Sequence, residues 1–244
     1  MKEQLYTIPV NDAFDEDCEC PVCAMYRSLE KASVEYTMGP SYMEDDVRME
    51  TDRVGFCRNH MQMLWDENNR LGLALVLQSH MQKTTKDLKK LINSPFTGKG
   101  RGIFKKNEES PISAYINRLN ASCFVCERVQ GFFERYIITI FYLWQNDKEF
   151  KKKYLASKGF CTGHYGLLVS EAPRNLTGDD LTEFNRATGR IYIENMERLI
   201  GDVDWFVNKF DYRYRDEPWK NSRDAVPRAM NKVNGIVPET ARTE

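Results

Sequence analysis

The chain is short of the features that mark membrane, secreted and nucleic-acid proteins. Its longest apolar run, Tyr136-Ile-Ile-Thr-Ile-Phe-Tyr-Leu-Trp144, is far below the roughly 20 residues of a membrane-spanning helix. Its opening residues, Met-Lys-Glu-Gln-Leu-Tyr-Thr-Ile-Pro-Val, lack a long apolar stretch and a small-residue cleavage site. The expectation is therefore a cytoplasmic protein with no membrane role. The formal net charge is −1 over 244 residues, so no global field recruits nucleic acid or an anionic surface. No His-Glu-x-x-His or His-x-Glu pattern is present, which removes the common open zinc sites of hydrolases and deaminases. What remains is a chain long enough for one large domain or two small ones, with 41% apolar residues to build a core.

Cysteine is the exception to this sparseness. Cys18, Cys20, Cys23, Cys57, Cys123, Cys126 and Cys161 make seven, and all but Cys18 fall into a doubled pattern. The first copy is Cys20-Pro-Val-Cys23 followed by Gly55-Phe-Cys57-Arg-Asn-His60; the second is Cys123-Phe-Val-Cys126 followed by Gly159-Phe-Cys161-Thr-Gly-His164. The inner cysteines are separated by 33 residues in the first copy and 34 in the second. An odd count in a chain of this size argues against a disulfide framework, and reduced cytoplasmic thiols point to metal.

Each copy supplies three thiolates and one imidazole, the ligand set of a closed structural zinc site. Residues three apart share one helix face, so each Cys-x-x-Cys or Cys-x-x-His can grip an ion from one short segment. The first turn of a helix adds free N–H groups and a positive dipole end, and both favour thiolate over thiol. Gly55 and Gly159, two residues before the third cysteine, suit a left-handed turn ending the preceding helix, with Phe56 and Phe160 packed under it. The expectation is two zinc ions per chain, held by Cys20, Cys23, Cys57, His60, Cys123, Cys126, Cys161 and His164. The near-equal gaps favour pairing within each copy. The alternative is a crossed pairing in which Cys20 and Cys23 join Cys161 and His164.

Four ligands per site close the shell, and three thiolates blunt the Lewis acidity of the ion, so catalysis at the metal is disfavoured. An iron–sulfur cluster is the competing metal reading, although clusters usually take four thiolates. A covalent c-type haem would need His where Ala24 and Glu127 stand.

Periodicity predicts an all-α fold in two pseudo-repeated helical halves, each stapled by a Cys3His zinc site. The boundaries are an N-terminal half over 1–93, a Gly/Pro/basic linker over 94–109, a C-terminal half over 110–216 and a polar, partly disordered tail over 217–244. Within that tail Ala225–Asn231 could form a short docked helix. Met61, Leu64, Trp65, Leu71, Leu75, Leu88 and Leu91 mark one helix face. Ser110-Pro111 and Thr177-Gly-Asp-Asp180 open two further helices. The run 136–144 could be a strand on composition, but its helical flanks favour a buried helix.

Other candidates are weaker. Cys18 is a spare thiol near the first site, and His80 suits a surface or helix-packing role better than ligation. The acidic stretch Asp12–Glu19 lacks the glycine and closing glutamate of a calcium loop. The basic stretch Lys83–Lys106 has no regular series of stacking aromatics, only Phe96 and Phe104, so nucleic-acid binding through it is disfavoured without being excluded. The lysines of 148–158 could offset the −1 charge of a Cys3His zinc centre. Tyr212–Trp219 reads as a segment docked on its own domain.

Taken together, Leu5-Tyr-Thr-Ile-Pro-Val-Asn-Asp-Ala-Phe14, the Cys-Pro-Val-Cys, both Gly-Phe-Cys-x-x-His blocks and Phe210-Asp-Tyr-Arg…Glu-Pro-Trp219 resemble an uncharacterised bacterial family. Its members come mostly from Firmicutes and are known only as a domain of unknown function. The resemblance implies a bacterial, cytoplasmic protein with a shared fold and implies no activity. The leading functional expectation is a non-enzymatic interaction or scaffold module with an unknown protein partner. A thiol- or zinc-based redox or metal sensor comes second, a nucleic-acid-binding protein third, and an enzyme acting elsewhere on the chain is a further possibility.

Overall fold

The computed structural model describes residues 4–94 and 109–237. It contains eleven α-helices and two short 3-10 turns, with no strand among the described residues. The helices run α1 (Gln4–Asp15), α2 (Pro21–Met38), α3 (Asp45–Val54), α4 (Arg58–Asp66), α5 (Arg70–Ile92), α6 (Pro111–Ala121), α7 (Phe124–Asn146), α8 (Lys148–Ala156), α9 (Thr162–Asn175), α10 (Gly178–Asn208) and α11 (Ala225–Asn234). The all-α expectation holds. Most of the linker expected over 94–109 lies outside the described residues.

The chain divides into two compact units that cut across the contiguous halves 1–93 and 110–216. One unit combines Met1–Arg27 with Phe133–Glu244; the other is Ser28–Phe132. The divisions fall inside α2 and α7, so each of these helices contributes to both units.

The discontinuous unit is built around an aromatic core. Tyr154 of α8 is fully buried, with Trp144 of α7 at 5.1 Å, Phe160 at 5.2 Å and Phe184 of α10 at 5.5 Å between ring centroids. Phe14 of α1 stacks on it at 5.5 Å. Such rings each bury on the order of 150–250 Å² and dominate core energetics. The one polar atom this cluster needs to satisfy at Tyr154, its hydroxyl, pairs with Thr188 Oγ1 at 2.7 Å. The run 136–144 is helical, as its flanks predict. Ile137, Ile140, Phe141 and Trp144 are buried while Ile138 and Tyr142 are exposed, a spacing of three and four rather than the alternation of a strand.

The continuous unit packs α3 against α5. Ser79 Oγ donates to Asp52 at 2.6 Å, and Leu73 and Val76 are buried. Here the single helix face expected from Met61 to Leu91 is corrected. The segment breaks into α4 and α5 at Glu67–Asn69, where Asn68 takes a φ of 61°. Asn69 then caps α5 by accepting from the Gly72 N–H at 2.9 Å, and its amide donates to Met38 O at 2.8 Å. The break shifts the register, so Leu71 is exposed and Leu73 and Val76 face inward. Asparagine tolerates the left-handed conformation and serves as a strong N-cap, and these two residues carried that signal.

Ser110-Pro111 and Thr177 open α6 and α10 as expected, the latter with Asp179 and Asp180 in its first turn. The short docked helix expected over Ala225–Asn231 is present as α11. It packs on α9 and α10, with Ala225 and Lys232 fully buried.

Candidate metal centre

Two Cys3His clusters form, and both use the crossed pairing. Cys20, Cys23, Cys161 and His164 make the first; Cys57, His60, Cys123 and Cys126 make the second. Pairing within each sequence copy, the favoured expectation, is therefore overturned. The reason is helix length. Each Cys-x-x-Cys opens a long helix, α2 of 18 residues or α7 of 23, about 27 and 35 Å at 1.5 Å per residue. Each Cys-x-x-His follows a short helix, α3 of 10 residues or α8 of 9, about 15 and 14 Å. By itself the short helix spans only part of the long one's length, and each Cys-x-x-His meets the Cys-x-x-Cys of the other copy. Each cluster lies wholly inside one compact unit.

Local structure explains how each segment presents its ligands. Cys57 and Cys161 are the N-cap residues of α4 and α9, and His60 and His164 sit in the first turns. Cys20 and Cys123 directly precede the start of α2 or α7, with Cys23 and Cys126 in the first turn. Every cluster thus joins the N-termini of two helices, where unsatisfied N–H groups and the dipole stabilise thiolate. The His164 N–H donates to Cys161 Sγ at 3.5 Å, and the Cys23 N–H to Cys20 Sγ at 3.4 Å.

The glycines before the third cysteines behave as the motif predicts in φ, but differ in role. Gly55 ends α3 with φ 64°. Gly159 has φ 77° but lies beyond the C-cap Ser157 of α8, so it shapes the turn instead of capping a helix. A Cβ on Gly55 would stand 2.8 Å from His80 Cε1, and one on Gly159 would stand 3.0 Å from Ile191 Cγ2. Phe160 is fully buried beneath its turn, whereas Phe56 is half-buried against Phe124.

In the first cluster His164 Nδ1 lies 3.5, 3.3 and 3.3 Å from the sulfurs of Cys20, Cys23 and Cys161, and the sulfurs of Cys23 and Cys161 are 3.6 Å apart. In the second, His60 Nδ1 lies 3.3 Å from the sulfurs of Cys57, Cys123 and Cys126. Cys57 and Cys126 are 4.0 Å apart. Within each cluster all four ligand atoms fall within 4.8 Å of one another, so each could hold one metal ion. His60 also turns its Nε2 to Glu30 Oε1 at 3.1 Å. A carboxylate there fixes the ring orientation and leaves Nδ1 to face the sulfurs.

Without a metal the four groups share protons. Hydrogen bonds to Cys123 and Glu30 lift His60 to about 10. Burial opposes ionisation of Cys123, but His60 and nearby backbone N–H groups bring it down to about 6. Burial, reinforced by the charge on Cys123, pushes Cys126 up to about 12. In the first cluster burial works against a charged His164, yet hydrogen bonds to Cys161 and Cys20 raise it to about 9. Hydrogen bonds from Cys20 and Cys23 hold Cys161 as thiolate, while Cys23 stays protonated.

Residues that no motif announced surround the first cluster. Lys232 of α11 is fully buried and donates to Glu19 O at 2.7 Å and Lys158 O at 2.6 Å. These carbonyls belong to the residues directly before Cys20 and Gly159. Its ammonium also lies 3.4 Å from the Glu19 carboxylate, which pairs in turn with Arg198 at 2.5 Å. Gly235 closes over the sulfurs so tightly that a Cβ there would stand 3.3 Å from Cys23 Sγ. Positive charge beside this cluster comes from Lys232 of α11 and from Arg27 of α2. Lys151, Lys152 and Lys153 pair instead with Glu183, Glu149 and Asp15, each at 2.6 to 2.7 Å. Burial against the Glu19 and Lys158 carbonyls sets Lys232 apart from a solvated tail lysine, and those contacts are invisible in sequence.

The remaining candidates take structural roles. His80 Nδ1 donates to Asp52 O over 3.1 Å, and the ring packs beside Gly55. Cys18 stands outside both clusters, its thiol pushed up to about 11 by burial. Asp15 and Asp17 of the acidic stretch pair with Lys153 and Lys158. The Tyr212–Trp219 segment docks on α10. Pro218 O accepts from Trp205 Nε1 at 2.9 Å, and Lys209 Nζ donates to Tyr214 O and Arg215 O at 2.7 and 2.8 Å.

The chain belongs to the family of unknown function DUF6062, whose model matches residues 1–240. No curated protein and no solved structure matches the chain significantly. No helix among the described residues is long and apolar enough to cross a membrane.

Proposed function

We propose that each cluster holds one zinc ion in a closed four-ligand shell, and that the protein is a zinc-stapled helical scaffold whose exposed faces bind a protein partner. The spacing of the ligand atoms carries this reading. Zinc bonds of about 2.3 Å to sulfur and about 2.0 Å to nitrogen give tetrahedral edges of about 3.8 Å between sulfurs and about 3.5 Å from sulfur to nitrogen. The S···N separations of 3.3 to 3.5 Å and S···S separations of 3.6 and 4.0 Å match that tetrahedron. A Cys3His donor set suits zinc better than an iron–sulfur cluster.

A complete shell leaves no position for a reacting water, which supports a structural over a catalytic ion. The ions would join helix N-termini from segments distant in sequence and so fix the helix faces. An apolar groove of about 280 Å³ between α10 and α11, lined by Met196, Leu199, Ile200, Val203, Ala229 and Val233, supports an interaction role. Ile200 and Val233 remain about half exposed there, at 55% and 52%. A partner helix with an apolar face suits this groove.

Elemental analysis of protein purified without added metal tests the zinc reading. Two zinc per chain is the expected result. Iron with visible absorption, or no metal, would overturn it.

A further inference from the structure

The two clusters differ in how they meet solvent, and the difference has a chemical consequence. In the first cluster Cys20, Cys23 and Cys161 are exposed by 4% or less. The Gly235 backbone and the buried Lys232 close them in. A pocket of about 410 Å³ reaches this cluster and is lined by Cys23, Cys161, His164, Tyr26 and Arg27, yet Cys23 and Cys161 keep only 4% and 3% of their surface exposed in it. In the second cluster Cys126 is exposed and Cys57 half-buried; only Cys123 and His60 are enclosed. Solvent-accessible thiolate is what oxidants and electrophiles attack, even when bound to zinc.

We propose that the second cluster is a peroxide-sensitive zinc site, with Cys126 the attacked sulfur and Cys57 the resolving one, while the first cluster stays inert. This rests on the zinc reading above. Cys126 thiolate attacks an oxygen of a hydroperoxide; an S–O bond forms, the O–O bond breaks, and the alkoxide or hydroxide leaves with a proton from solvent. The Cys57 thiolate then attacks the sulfenic sulfur of Cys126. The S–S bond forms, the S–O bond breaks, and hydroxide leaves as water after taking a second proton. Two electrons pass from the two sulfurs to the peroxide. The sulfurs must close from 4.0 Å to about 2.0 Å. Zinc, left with Cys123 and His60 alone, dissociates.

The experiment exposes the full-length zinc-loaded protein to hydrogen peroxide. It follows zinc release with a colorimetric chelator and maps the cysteines by non-reducing peptide mass spectrometry. One zinc should leave at least about tenfold faster than the other, with a Cys57–Cys126 cross-link and with Cys20, Cys23 and Cys161 still alkylatable after unfolding. The Cys126→His variant keeps four ligands without the attacked sulfur; it should bind two zinc and lose the fast phase. Zinc content before oxidation separates the two readings. Fewer than two zinc at the start counts against the zinc assignment itself. Two zinc that leave at one rate, a cross-link among Cys20, Cys23 and Cys161, or an unchanged fast phase in Cys126→His would overturn the redox proposal alone.

Discussion

Cys23 and Cys161 stand 138 residues apart in sequence, and their sulfurs lie 3.6 Å apart. The contact joins the first turn of α2 to the N-cap of α9. It makes the two motif copies interdependent, because neither copy completes a cluster from its own ligands.

Paired substitutions read this crossing out directly. Cys23→Ser and Cys161→Ser should each remove the same zinc, so the double variant should retain one zinc per chain. Cys23→Ser combined with Cys57→Ser should retain none. Pairing within copies would give the reverse counts, and elemental analysis of the two double variants decides between them.

Zinc uptake should expel protons. In the metal-free second cluster His60 stays protonated up to about 10 and Cys126 up to about 12, and a metal ligand must be deprotonated. The zinc-bound state therefore holds fewer protons, and affinity rises with pH. Loss of these two protons corresponds to about a 100-fold gain in apparent affinity per pH unit between about pH 7 and 9. Competition with a chelator at several pH values measures the slope, and a flat profile would contradict the shared-proton picture.

Gly159→Ala should destabilise the protein by about 1–3 kcal/mol. The substitution puts a side chain at φ 77° and its Cβ 3.0 Å from Ile191 Cγ2. Gly163→Ala provides the comparison, since a Cβ there meets nothing within 4 Å. Urea unfolding of the two variants at fixed zinc gives the difference.

Lys232→Met should cost about 3–5 kcal/mol, the range for breaking a buried ion pair from one side. The methionine leaves Glu19 O and Lys158 O without their donor and removes one cation beside the Glu19 carboxylate. Because Lys232 lies at the first cluster, zinc should be lost from that site at lower chelator concentration than in the parent, with the second site unchanged. Equal stability of variant and parent would show that the ammonium contributes nothing net.

Much of this was legible in residue order. Helix starts at Ser110-Pro111 and Thr177 follow from capping chemistry, and the buried helix through 136–144 follows from its flanks. The α4–α5 break was also written in Asn68-Asn69, but leucines on both sides continued a plausible helical period across it. Lys232 was not legible. A lysine in a polar tail reads as solvated until α11 folds against the segment holding Glu19.

The sequence by itself determined the candidate ligand types, their three-residue spacing and the helix N-termini that present them, because these are local properties of a few adjacent residues. Only the tertiary structure decided which pairs share a cluster. Near-equal gaps of 33 and 34 residues suit either pairing. The unequal lengths of α2 and α3, and of α7 and α8, break that tie, since a helix fixes a distance that a residue count alone does not.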